Sequence, residues 1–281
     1  MKIYSLSKVL ILPAVLLAFG IYFYAENMGS RDDTIWLFIP VFLLVVLYIF
    51  NPQIDYWWHR KYPLPLDPHI KNWLSRHSEF YRGLDKPSKK LYEERLGLYI
   101  EAREFKSVGS ELREVPEDIK GILASIPVQL TLHDPDFLLG EYDRIYIYHH
   151  PFPSPKMPFL HTVEVDHEDG VILFSLEQFL PGILDPKAHF PVGLYGFMEA
   201  YFHLQQLLLP ENITPEGIER FSYYSWSQIE KTTGRKNILP HIVLACLYVI
   251  EPEKVRRFYP KCHEYLDSIF LHLKHGSLIR P

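Results

Sequence analysis

The chain has 281 residues, 48% of them hydrophobic and 22% charged, with a net charge of -5. That length supports one sizeable core, and the lack of a basic surplus excludes nucleic acid as a partner, because phosphate contacts need a basic patch. Cys246 and Cys262 are the only cysteines, too few for a disulfide scaffold and in keeping with a reducing compartment.

Two apolar runs come first. Residues 9–25 carry no charge over 17 positions and residues 34–53, "TIWLFIPVFLLVVLYIFNPQ", none over 20. At about 1.5 Å per residue each approaches the roughly 30 Å of a bilayer core, the first with help from a snorkelling Lys8. A basic start and an apolar centre also fit a signal peptide, but "YFYAEN" lacks a small-residue cleavage site and a second run follows at once. Trp36, Tyr48, Trp57 and Trp58 supply interfacial aromatics. Between the runs Arg31 stands against Glu26, Asp32 and Asp33, whereas Lys2, Lys8, Arg60, Lys61 and Lys71 flank the outer ends. By the positive-inside rule both termini are cytoplasmic. The expectation is a transmembrane hairpin over residues 1–55, with spans at about 8–25 and 34–53, then a linker over 56–65.

Residues 66–281 then form a soluble domain, placed by the hairpin on the cytoplasmic side of the inner membrane. Apolar spacing predicts helices over 69–81, 88–105 and 116–132. "RIYIYHH" alternates as a strand and runs into the proline-rich loop "PFPSPKMPF". "HTVEVDHEDGVILFS" reads as a β-hairpin turning at Glu168-Asp169-Gly170. Helices follow over 192–210, 239–249 and 252–273, with Thr214 capping another opened by Pro215. Helices around a small sheet make the class α+β. The cap also takes Thr214 out of the sequon Asn212-Ile213-Thr214, which has no use on a cytoplasmic domain.

These segments together resemble the zinc-dependent peptidase family of Mlc titration factor A, in the variety that carries a membrane anchor. The likeness rests on "LYEERLGLYIEAREF", "VPEDIKGILASIPVQLTL", "RIYIYHHPF" and "HTVEVDHEDGVILFSLEQFLPGILDP", the last similar to the family's His-x-Gly-Glu strand, hairpin and Gly-x-x-Asp-Pro turn. Val163 stands in place of that glycine and Leu176 in place of a tryptophan. The resemblance implies a zincin-like domain. It also implies that the first histidine of His-Glu-x-x-His falls thirteen residues after Gly182, where this chain has Tyr195. Gly196 then replaces the general base and Glu199 the second histidine. Aligning Pro252 of "ACLYVIEP" with the family's Ser-Glu-x-Phe-Phe-Glu-x-Pro puts Cys246 at the third ligand.

Those changes remove the chemistry. Two histidines four apart present imidazoles to zinc on one helix face, and the glutamate between them takes the proton of metal-bound water. Tyrosine, with a pKa of about 10, is a poor neutral-pH ligand, and glycine offers no side chain. Gly196 reads as drift after the metal was lost, with close packing against another backbone as its functional alternative. No cofactor is expected; the alternative is zinc held by Glu199, His203 and Cys246. His149 and His150 read as solvent-exposed loop histidines, and His272 and His275 as charges near a helix end.

Since relatives hold peptides along a groove beside the metal helix, the emptied cleft becomes an expected protein-binding surface. Its candidates are His161, Glu164, Tyr195, Glu199 and His203, with the edge strand at His161 open to an added peptide strand. The sequence thus predicts a membrane-anchored pseudopeptidase that binds a protein partner, the other reading being an active zinc-dependent peptidase with a rebuilt metal site.

Overall fold

Several helices of this chain start on short polar side chains. Asp67 accepts from the His69 amide at 2.7 Å, Ser78 from Tyr81 at 3.1 Å, Asp85 from Ser88 at 2.9 Å and Thr214 from Gly217 at 3.2 Å. Ser225 and Gln228 form a reciprocal capping box. Each side chain satisfies an amide that has no partner inside its helix. The computed structural model describes residues 5–27, 29, 35–109 and 114–270. The expectations on Lys2, Arg31, Asp32, Asp33, His272 and His275 lie outside them.

The chain divides into two units, Met1–Pro65 and Leu66–Pro281. The first holds α1 (Leu6–Asn27), α2 (Phe38–Ile49) and α3 (Asn51–Lys61). Helix α1 is long and apolar enough to cross a membrane. Helix α2 is not a straight continuation into α3: the stretch Ile35–Ile49 meets Asn51–Lys61 at a bend of 68°. Pro52 at the start of α3 lacks the amide that would extend α2, which accounts for the break. Residues expected to be linker are therefore helical as far as Lys61. Asp55 of α3 reaches the start of α1, where its carboxylate accepts from the Ser7 amide at 2.8 Å and the Ser5 hydroxyl at 2.7 Å.

The second unit holds α4 (Pro68–His77), α5 (Glu79–Gly83), α6 (Lys86–Ala102), β1 (Glu104–Val108), α7 (Glu117–Leu130), β2 (Arg144–Tyr148), β3 (Val163–Asp166) and β4 (Val171–Ser175). It continues with α8 (Leu176–Leu184), α9 (Val192–Leu204), α10 (Pro215–Glu219), α11 (Trp226–Thr233), α12 (Pro240–Ile250), α13 (Pro252–Phe258) and α14 (Pro260–Ile269). The sheet order is β1-β2-β4-β3, parallel except for the β3–β4 hairpin. Gly170 makes that hairpin's turn at φ +62°, as the Glu-Asp-Gly sequence predicts.

Four boundaries differ from expectation. The helix over 88–105 ends at Ala102 and its last residues join β1; the helix over 69–81 is interrupted at Ser78, which caps α5; and that over 252–273 breaks at Pro260. Helix α9 stops at Leu204 because Gln206 turns left-handed at φ 50° and the Leu207 amide bonds back to Phe202. Helix α9 is the centre of the unit. It is buried from Val192 to Phe202 apart from Leu194 and packs against β3, β4, α7, α8 and α12.

Candidate functional site

Tyr195, Gly196 and Glu199 project from the middle of α9, and Cys246 from the buried α12 beside it. All four lie in the interior. Arg235 packs beside Glu199 and Tyr195. Gly234 closes α11 in the left-handed region at φ +69°, and a Cβ there would stand 2.3 Å from the Leu160 carbonyl oxygen, so glycine is required by both conformation and contact. The turn sends Arg235 inward, 5% exposed, with its guanidinium 3.2 Å from the Glu199 carboxylate and 5.8 Å from the Tyr195 ring centre. Burial works against the guanidinium charge, but Glu199 outweighs it and the Arg235 pKa is raised. One donor, Nε, is buried without a hydrogen-bond partner.

The neighbours are held in unreactive forms. Burial, reinforced by Glu199, pushes the Tyr195 hydroxyl well above its ordinary range, and its oxygen accepts from the Leu239 amide at 3.2 Å. Burial likewise raises the Cys246 thiol, with Glu199 adding to the effect, so the thiolate that zinc requires is disfavoured. Glu199 is engaged by Arg235, and His203 is exposed and turned to His167, whose ring stacks on it at 3.9 Å. The alternative zinc set of Glu199, His203 and Cys246 is therefore not assembled. Among the described residues no group of three or more His, Cys, Asp or Glu side chains gathers as a metal site.

Gly196 packs against side chains and not against another backbone. A Cβ added there would lie 2.8 Å from both Phe174 and Val163 side-chain carbons, so the missing side chain lets α9 press onto the β3–β4 hairpin. Val163, which stands where the resemblance expects glycine, occupies part of that space.

The expected groove is closed. His161 and Glu164 are buried and bond at 2.9 Å, while the other ring nitrogen of His161 donates to the Phe159 carbonyl at 2.9 Å. Burial tends to raise the Glu164 carboxyl, but the bonds from His161 and Ser154 outweigh it and hold it below the usual range. The strand edge that a peptide would join at His161 is taken by Phe152, through two backbone bonds of 2.9 and 3.0 Å. Thr162 is bonded to Thr232 and Thr233. Of the five groove candidates only His203 is exposed.

Arg235, His167 and Tyr142 were not legible as site residues. The Tyr142 hydroxyl lies 2.6 Å from His167 Nδ1, and the other nitrogen of His167 is 4.0 Å from Glu199. Burial, then the neighbouring His203, lowers the His167 pKa. An arginine after a helix-closing glycine reads as solvated, and only its approach to Glu199 from 36 residues away marks it. His149 and His150 are exposed, as expected, and His150 pairs with Glu177 at 2.8 Å. Comparison with family models, curated proteins and solved structures finds no match.

Open space lies elsewhere on the unit. A cleft of about 620 Å³ is bordered by α4, α5, α8 and the first turn of α9, with Trp73, Phe80, Ile183, Leu184, Leu194 and Ile250 among its lining.

Proposed function

We propose that the chain is a membrane-anchored pseudopeptidase of the zinc-dependent peptidase family of Mlc titration factor A. In this proposal a zincin-like domain is carried on a two-helix transmembrane hairpin, faces the cytoplasm at the inner membrane, and serves as a protein-binding or regulatory module. The observation that carries it is the buried Arg235–Glu199 pair. Where the family gathers two imidazoles and a base around a cation, this chain has a carboxylate neutralised by its own guanidinium, and a metal would have to displace that pair. The contact between Gly196 and Val163 supports the same view: bulk absent from the helix is regained on the strand, as in a cleft repacked rather than decayed. Asp55 binding the start of α1 supports the hairpin, because it returns the chain to the end of α1 from which it set out.

With the old groove closed, partner binding falls to the open cleft near Leu184. Full-length protein purified in detergent is expected to hydrolyse no peptide or aminoacyl anilide in a zinc-dependent way. Hydrolysis abolished by a chelator and by Glu199→Ala would overturn the proposal in favour of a rebuilt metal site. Labelling of single cysteines at Ser30 and in the second unit tests sidedness, with only Ser30 expected to react with an impermeant reagent in intact cells.

A further inference from the structure

Helix α3 leaves α2 at 68°. The stretch Ile35–Ile49 reaches about 22 Å at 1.5 Å per residue, short of a roughly 30 Å bilayer core. A locally thinned bilayer accommodates such a shortfall, and the apolar run gives way to Asn51, Pro52 and Gln53 at the start of α3, so the bend falls where the span meets the polar boundary. A helix turned by 68° from a span runs closer to the membrane plane than to its normal. Beyond the exposed Asn51 and Pro52 at its start, its exposed residues form one stripe at helical spacing: Gln53, Trp57, Arg60 and Lys61. Trp57 is 59% exposed, a large aromatic surface to leave in water. On the flank, Trp58 and Tyr62 rings pack at 4.3 Å and the Lys61 ammonium lies 5.7 Å from the Tyr62 ring. The one acid of the helix, Asp55, is spent on the start of α1. The remaining exposed charges on this helix are positive.

We propose that α3 is an in-plane interfacial helix that seats Trp57 at headgroup level and binds anionic phospholipid through Arg60 and Lys61. Aromatic side chains prefer this depth, and each lysine or arginine at an anionic surface strengthens binding about fivefold. The proposal rests on the first unit being a membrane anchor.

The test uses the full chain reconstituted in vesicles with and without phosphatidylglycerol, containing lipids brominated near the headgroup end of the acyl chain. Trp57 emission is isolated by subtracting the Trp57→Phe variant. The expected result is quenching of Trp57 in anionic vesicles that weakens in neutral ones and at high salt. Arg60→Gln and Lys61→Gln together should lower the ratio of docked to undocked helix by roughly 25-fold, about fivefold for each charge. Trp57 emission that is unquenched, or quenched equally whatever the lipid charge and in the double variant, overturns the assignment; a helix covered by protein would give the first result, and one held at the membrane by the spans alone the second. Extraction of the whole chain by alkaline carbonate would instead show that the anchor itself fails.

Discussion

Around Glu199 the second unit buries a phenol, a thiol, a carboxylate and a guanidinium with little access to water, whereas the cleft beside Leu184 is open and lined by both apolar and charged side chains, Arg76, Glu79, Asp185 and Lys187 among the latter. The groups around Glu199 are used on one another. The charge of Glu199 is satisfied internally, the Tyr195 hydroxyl and Cys246 thiol are held protonated, and the edge beside His161 is paired with Phe152. In the proposed reading these chemically capable residues act as packing and charge compensation, and binding falls to the surface that remains accessible.

The contrast breaks most visibly at Arg235. Arg235→Ala leaves the Glu199 carboxylate buried with only His167 near it, at 4.0 Å, and has an expected cost of about 3–5 kcal/mol in urea unfolding. Arg235→Met combined with Glu199→Leu should recover most of it, since an apolar pair of similar volume needs no compensation. A loss under about 1 kcal/mol for the single variant would mean that water reaches the site. Next in size is Gly196→Ala. Helix propensity favours alanine by about 1 kcal/mol, but the new methyl meets Phe174 and Val163 at 2.8 Å. Overpacking of about 1–3 kcal/mol is expected to win, and Val163→Ala should relieve part of it in a double-mutant cycle.

Acid should loosen the same region in two stages. The His167 pKa lies below its ordinary 6.5, so the unfolded chain takes up that proton first and stability declines as pH falls below about 6.5. Glu164 also sits below its unfolded value, and its contribution is present above about pH 4 and lost as pH drops through the folded pKa. Melting curves from neutral pH to about pH 2 read both, and His167→Gln should flatten the first stage by a few tenths of a kcal/mol. The smallest stability effect belongs to the cleft. Leu184 is 52% exposed, so Leu184→Asp should change stability by less than about 0.5 kcal/mol while weakening capture of a protein partner from membranes; capture that is unchanged would move the binding face elsewhere.

Local signals were legible in the sequence. Thr214, the Glu-Asp-Gly turn and the buried α7, α9 and α12 all follow from caps, turn residues and apolar spacing. What was not legible depends on partners distant in the chain. Phe105 continues the apolar rhythm of α6, yet it belongs to β1 because β2 offers ladder bonds from residues around Ile145. Pro260 was a local stop signal passed over within an otherwise helical pattern. Glu199 and Tyr195 were found by spacing from Gly182, but their accessibility was not: the segment that closes over them, residues 232–235, approaches from another helix. A cleft inferred from emptied ligand positions takes no account of what moves in to fill them.

Thermal unfolding of the full-length protein with zinc added, and again with a chelator, tests most directly whether Arg235 has taken the place of a metal. Binding to the folded state alone would raise the melting temperature by mass action. The melting temperature is expected to be the same in both conditions for the wild type and for Glu199→Gln, the latter lower throughout. A rise with one equivalent of zinc that the chelator reverses, and that Glu199→Gln or Cys246→Ala abolishes, would contradict the account.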